Sequence, residues 1–122
     1  MLSDLAAALG TASLANKAGK YTQPTSKTID AALASFSGST PTTGSQSLIN
    51  TSAAKGYPII NYEYAVVKKT QPSAAVASAL KAFLKWTLTT GAGPTFLSAV
   101  GFEPLPSNVQ TIAENQIASI SG

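Results

Sequence analysis

One stretch limits what this chain can fold into more than any other, GYPIINYEYAVVKK at residues 56–69. Gly56 and Pro58 punctuate its start and two lysines close it, with β-branched and aromatic residues between them. Residues 59–67 are therefore expected to form a strand. The run does not alternate cleanly: Ile59, Ile60, Tyr62, Tyr64, Ala65, Val66 and Val67 place apolar groups on both faces. Near-continuous runs of this kind suit a parallel or mixed sheet covered by helices on both sides. A chain of 122 residues with one clear strand cannot supply such a sheet. The stretch is expected to belong to a larger protein of which this chain is part.

The rest of the chain reads as helices and loops. Ser3 caps a short helix through Leu9, which Gly10 closes. Residues 11–24 mix small and polar residues around Gly19 and read as loop up to Pro24. Thr25 or Ser26 caps a second helix carrying Ile29, Ala32, Leu33 and Phe36 at helical spacing. A Ser/Thr/Gly/Pro loop follows at 37–47, and Leu48-Ile49 is a short apolar pair. After the strand, Gln71-Pro72-Ser73 starts a long helix to about Thr90, with Gly91 past its end. Val76, Leu80, Phe83, Leu84 and Leu88 form its apolar stripe, roughly 140° wide at 100° per residue. Lys81 and Lys85 lie outside the stripe and are expected in solvent, while Trp86 flanks it beside Ala79 and Ala82 as a packing residue. Pro94 opens a short helix over Phe96 to Val100, and Pro104-Leu105-Pro106 forces an extended passage. Ser107 caps a last helix carrying Val109, Ile112, Ile117 and Ile120. The fold class is α/β.

The inventory for chemistry is thin. The sequence holds no His, no Cys and, among its eight basic residues, no Arg. The common serine triad, a His-ligated metal site and most general-base schemes at neutral pH lack their residues. Five carboxylates remain: Asp4, Asp30, Glu63, Glu103 and Glu114, none of them closely paired in sequence. Glu63 stands out because it sits mid-strand between two tyrosines, where a buried charge costs several kcal/mol unless paired. It either pairs with a lysine or points into a cleft mouth, or it makes a ligand or catalytic contact. Asp30 reads as an exposed residue near a cap. An enzyme is not expected, and a small enzyme built on Glu63 is the rival reading. No catalytic residue, metal site or cofactor is assigned.

Two loop fragments invite an anion reading, Ser37-Gly38-Ser39-Thr40 and Thr43-Gly44-Ser45. Backbone N–H groups and hydroxyls at a helix N-terminus bind oxyanions. Neither fragment is followed by the Gly-Lys-Ser/Thr of a P-loop, and both read more simply as plain loop. The net charge of +3 comes from lysines that are scattered apart from Lys68-Lys69. A nucleic-acid partner is not expected, since such proteins cluster their cations and use Arg for bidentate contacts. No window is apolar for long enough to span a membrane, and MLSDLAAALG, with Asp4 in its midst, does not read as a signal peptide.

Three stretches in order, LGTASLANKAGKYTQPTSKTIDAAL, GYPIINYEYAVVKK and ALKAFLKWTLTTGAGPTFLSAVGFEPLP, resemble the C-terminal portion of phosphate-binding proteins. These PstS-type proteins are the extracytoplasmic receptors of ABC-type phosphate importers, and the likeness is greatest to the mycobacterial and actinobacterial branch. It runs from about Leu9 to the end of the chain. The resemblance implies part of a type II periplasmic-binding-protein fold, a two-lobed Venus flytrap about three times as long as this chain. Residues 1–55 would be the tail of the second lobe. Residues 56–122 would be the return strand and C-terminal helices of the first lobe, with few strands covered by helices. The implied partners are inorganic phosphate and the membrane subunits of the importer, and the implied location is extracytoplasmic, at the cell envelope. The family's export signal and lipid-attachment cysteine have no counterpart here.

The match omits the family's ligand set. Its Thr/Ser-Gly-Ser loop, its Asp, and its Arg followed at four residues by Ser-Gly-Thr all lie upstream of the matched region. Here Ser37-Gly38-Ser39 is preceded by Leu33 where that Arg would stand. No phosphate ligand of the family therefore transfers to a residue of this chain, and the chain alone is expected to lack the site. The alternative is a truncated or split-gene fragment without ligand, with a structural or self-association role, joining the missing N-terminal half or a second copy.

Overall fold

Thr25 ends an extended passage and caps the first helix, α1, Ser26–Ala34. Its hydroxyl accepts from the Thr28 N–H while the Thr28 hydroxyl accepts from the Thr25 N–H. This reciprocal cap satisfies two orphan donors and contributes about 1 kcal/mol. The computed structural model describes residues 10–97 and 100–122. The helix expected from Ser3 to Leu9, with Asp4 in it, lies outside them, and the helix expected over 96–100 lies partly outside.

Helix α1 turns inward the positions its spacing marks. Ala32 and Leu33 are buried, and Ile29 and Phe36 pack against them. The same cluster takes in Leu48, Ile60, Tyr62 and Val109, so it draws together residues far apart in sequence. Ahead of α1, the expected loop at 11–24 contains a small antiparallel hairpin. β1, Leu14–Ala15, pairs with β2, Tyr21–Thr22, with Leu14 opposite Thr22 and Ala15 opposite Tyr21. Gly19 closes the turn at φ 71°, a conformation glycine adopts without strain.

Helix α2, Ala74–Leu88, starts at Ser73, whose hydroxyl accepts from the Val76 N–H. Helix α3, Ser107–Ala118, follows the Pro104-Leu105-Pro106 passage. Ala77 and Leu84 of α2 meet Ile117 and Ile120 in a second cluster, with Leu80 and Leu88 packed against it. Helix α3 ties the two clusters together, because Val109 near its start lies in the first and Ile117 near its end in the second. The buried side of α2 is thus narrower than its sequence stripe and rotated from it. Ala77 is buried, whereas Val76 and Phe83 are 45% and 59% exposed. Neither lies in the buried cluster that α2 forms with α3 and Ile120, and Phe83 stacks on Trp86 of its own helix instead. Lys85 is exposed as expected, and Lys81 is half-buried.

The expected strand at 59–67 does not form a ladder. Residues 59–68 run without a bend or turn, yet belong to no sheet. None of the residues from 59 to 67 makes a backbone–backbone hydrogen bond to another described residue. Its side chains also depart from the two buried faces expected of them. Ile60 and Tyr62 are buried while Ile59, Asn61 and Glu63 are exposed, and everything from Tyr64 to Lys69 is exposed. The physical reason is the lack of neighbours: only one side of the run meets a core, and among the described residues no second strand lies alongside. Pairing begins just beyond, where Thr70 bridges Ser121 in parallel through Ser121 N–H to Lys69 O at 2.8 Å and Gln71 N–H to Ser121 O at 2.7 Å.

Candidate functional site

A groove of about 590 Å³ lies between the unpaired run and helices α2 and α3. One wall is Tyr62 to Val67, the other is Leu84 and Leu88 of α2 with Ile112, Gln116 and Ile117 of α3, and the loop Thr43-Gly44-Ser45 closes one end. The geometry follows from the two clusters. They hold Tyr62 at one end of the run and Ile117 on the opposing helix, and no described residue fills the space between.

Several contacts fix the loop at the end of the groove. The Gly44 N–H donates to Pro41 O at 2.8 Å, and Gly44 takes φ 71°. The Tyr64 hydroxyl donates to Gly44 O at 3.2 Å, and Gln116 Nε2 donates to Thr42 O at 3.1 Å from α3. In the other fragment singled out by sequence, Ser37–Ser39 forms a single 3-10 turn. The Ser39 and Thr40 hydroxyls both donate to Phe36 O. These two hydroxyls are engaged by their own turn, and the Ser39 hydroxyl also accepts from Gln46 Nε2 at 3.2 Å.

Of the carboxylates, Glu63 lines the groove and is exposed, so its charge stays hydrated and needs no buried partner. It is neither enclosed nor aimed at a second carboxylate. Asp30 is exposed, and Glu114 accepts from Gln110 Nε2 at 3.3 Å. Lys69 is the one lysine lining the groove. Tyr62 Oη is buried in its wall without a hydrogen-bond partner. Among the described residues no three His, Cys, Asp or Glu side chains come together as a metal site would need, and no helix is long and apolar enough to cross a membrane.

An oxyanion with two charges needs several convergent donors to replace its hydration. The groove is lined by valine, leucine and isoleucine with one lysine, and by the polar side chains of Thr43, Ser45, Tyr64, Thr87 and Gln116. It provides apolar area beside a row of unsatisfied backbone groups, the surface that a polypeptide strand complements.

One feature of the fold carries no signature in the sequence. Asn16 is buried and makes four side-chain bonds. Its Nδ2 donates to Ala54 O at 2.9 Å and Gly56 O at 3.1 Å, while its Oδ1 accepts from the Ala18 and Lys20 N–H groups at 3.0 Å each. It pins the hairpin to the turn preceding the unpaired run. Tyr57 N–H in turn donates to Thr28 O at 2.9 Å, joining that turn to α1. Gly56 is needed there, because a Cβ would lie 3.1 Å from the Ala32 Cα.

No protein-family model matches this chain. It is similar to the phosphate-binding protein PstS of Methanocaldococcus jannaschii, with 34% identity over 122 residues. The alignment takes in 92% of this chain and 31% of that protein. The chain thus spans about a third of its relative's length, and the mixture of helices with a small hairpin is compatible with an α/β fragment. The relative is archaeal, so the actinobacterial affinity rests on the quoted stretches alone.

Proposed function

We propose that the chain is the C-terminal part of an extracytoplasmic receptor, of the PstS type and the actinobacterial branch, that captures inorganic phosphate for an ABC-type importer. The observation that carries this reading is the similarity to a phosphate-binding protein along 92% of the chain. The receptor binds and hands over an anion and catalyses nothing. Its fold is the two-lobed type II periplasmic-binding-protein fold, in which residues 56–122 return to the first lobe and residues 1–55 end the second. Its partners are phosphate and the importer's membrane subunits. The phosphate ligands lie in sequence outside these 122 residues, and the apolar groove is where strands from that sequence pack. The unpaired backbone at 59–67 supports this, since such a run needs strands beside it.

Calorimetry on two proteins tests the reading. One is the 122-residue chain; the other is the M. jannaschii protein in which this chain replaces the segment it matches. The folded chimera is expected to bind phosphate one to one, and the chain alone to give no saturable heat. Saturable binding by the chain alone would place a site within these residues. A folded chimera that ignores phosphate would remove the chain from the receptor.

A further inference from the structure

The run from Glu63 to Lys69 is complementary to itself turned end for end. One carboxylate stands at its start and two lysines at its end, with Tyr64-Ala65-Val66-Val67 between them. Val66 is 95% exposed, Tyr64 50% and Val67 41%. The backbone there has no neighbour among the described residues. A straight, apolar, unpaired segment of this kind is an adhesive edge.

Symmetry narrows what can lie on it. The two-fold axis relating a pair of antiparallel strands stands normal to their sheet, so opposed residues lie on the same face. In an identical pair, opposed residues must therefore differ by an even number of positions. Lys68 is five positions from Glu63 and is ruled out as its opposite number, whereas Lys69 is six away. Setting Glu63 opposite Lys69 puts Tyr64 opposite Lys68, Ala65 opposite Val67, and Val66 opposite its own copy on the axis. A register centred on Glu63 opposes two carboxylates, and one centred on Lys68 opposes two ammonium groups, both unfavourable. Only one permitted register pairs Glu63 with a lysine. It ends where the chain bends at Lys69, before Thr70 takes Ser121 as its neighbour.

We propose that two copies of the 122-residue chain join through this edge, antiparallel about a two-fold axis at Val66, with Glu63 of each copy opposite Lys69 of the other. The inference rests on the edge and its charges, not on the phosphate reading. A strand from outside these residues and a second copy would compete for the same edge.

Sedimentation of the purified chain with three variants tests it. The chain is expected to be a dimer. Glu63→Lys and Lys69→Glu, both at exposed positions, each weaken the dimer about tenfold by turning two attractive cross-strand pairs into repulsive ones. The double variant Glu63→Lys with Lys69→Glu regains the dimer. A monomeric wild-type chain would overturn the proposal, as would a dimer indifferent to both single changes or a double variant as weak as the singles. A larger open assembly would also overturn it, since it requires a head-to-tail contact in place of the two-fold one.

Discussion

Replacing Asn16 with Ala is expected to cost about 3 kcal/mol of stability and to lower the melting temperature by roughly 10–15 °C. The side chain is buried and all four of its bonds go to backbone groups, two within its own turn and two across to residues 54 and 56. Truncation leaves two N–H groups and the Ala54 carbonyl without those partners. The Gly56 carbonyl keeps only the longer bond from the Thr22 hydroxyl at 3.3 Å. Each hydrogen bond contributes about 1 kcal/mol net, and four are lost together, three of them part-buried and one buried, which makes the loss larger than a single hydrogen bond would suggest. Asn16→Asp separates the two roles. It keeps the acceptor for Ala18 and Lys20 but loses both donations to residues 54 and 56, so it too is expected to destabilise. Thermal unfolding of the three proteins gives the comparison, and a loss below about 1 kcal/mol for the Ala variant would show that the hairpin is not held through this residue.

Leu48→Ala is expected to cost a similar amount, about 3 kcal/mol or somewhat more. Leu48 is 1% exposed and is the large side chain most completely enclosed among the described residues. It packs in the cluster that joins α1 to Ile60, Tyr62 and Val109, so its removal opens a cavity between three segments. Leucine truncations in closed cores lose about 2.7–5 kcal/mol, with the spread set by how far the walls collapse. Leu48→Met, which conserves volume, is expected to cost less than about 1.5 kcal/mol. Denaturant unfolding measures all of these, and a Leu48→Ala cost no greater than that of Leu48→Met would mean that the cluster is not closed around this side chain.

What could be read from the sequence is what local chemistry decides. Helix α1 is legible because Thr25 caps it and Ile29, Ala32 and Leu33 recur at helical spacing, and the start of α2 is legible because Ser73 caps it. The hairpin is not legible, because its anchor is a lone Asn16 whose partners lie 38 and 40 positions away. The orientation of α2 differs from its sequence stripe for a related reason. Val76 and Phe83 look like core by their chemistry, but burial needs a facing surface, and α3 and Ile120 cover only the side with Ala77 and Leu84. Trp86 instead joins Phe83, at 6.3 Å between ring centres, and Phe96, at 5.6 Å, in an aromatic patch closed beneath by Gly91.

The stretch at 59–67 shows the same division. Its composition marks it as a strand, but whether a strand pairs depends on neighbours, and none of the described residues pairs with it. The groove follows from that vacancy, which is why no spacing within the chain announces it. Glu63, singled out for its place between two tyrosines, is exposed on the open run and not buried.

Amide hydrogen exchange, followed residue by residue with the chain diluted enough to be monomeric, tests most directly that 59–67 is a strand without partners. The expected result is exchange at 59–67 close to the rate of an unstructured peptide, beside slow exchange in the interiors of α1, α2 and α3. Slow exchange at consecutive residues across 59–67 in the monomer would contradict it, because those amides would then already have partners within the chain.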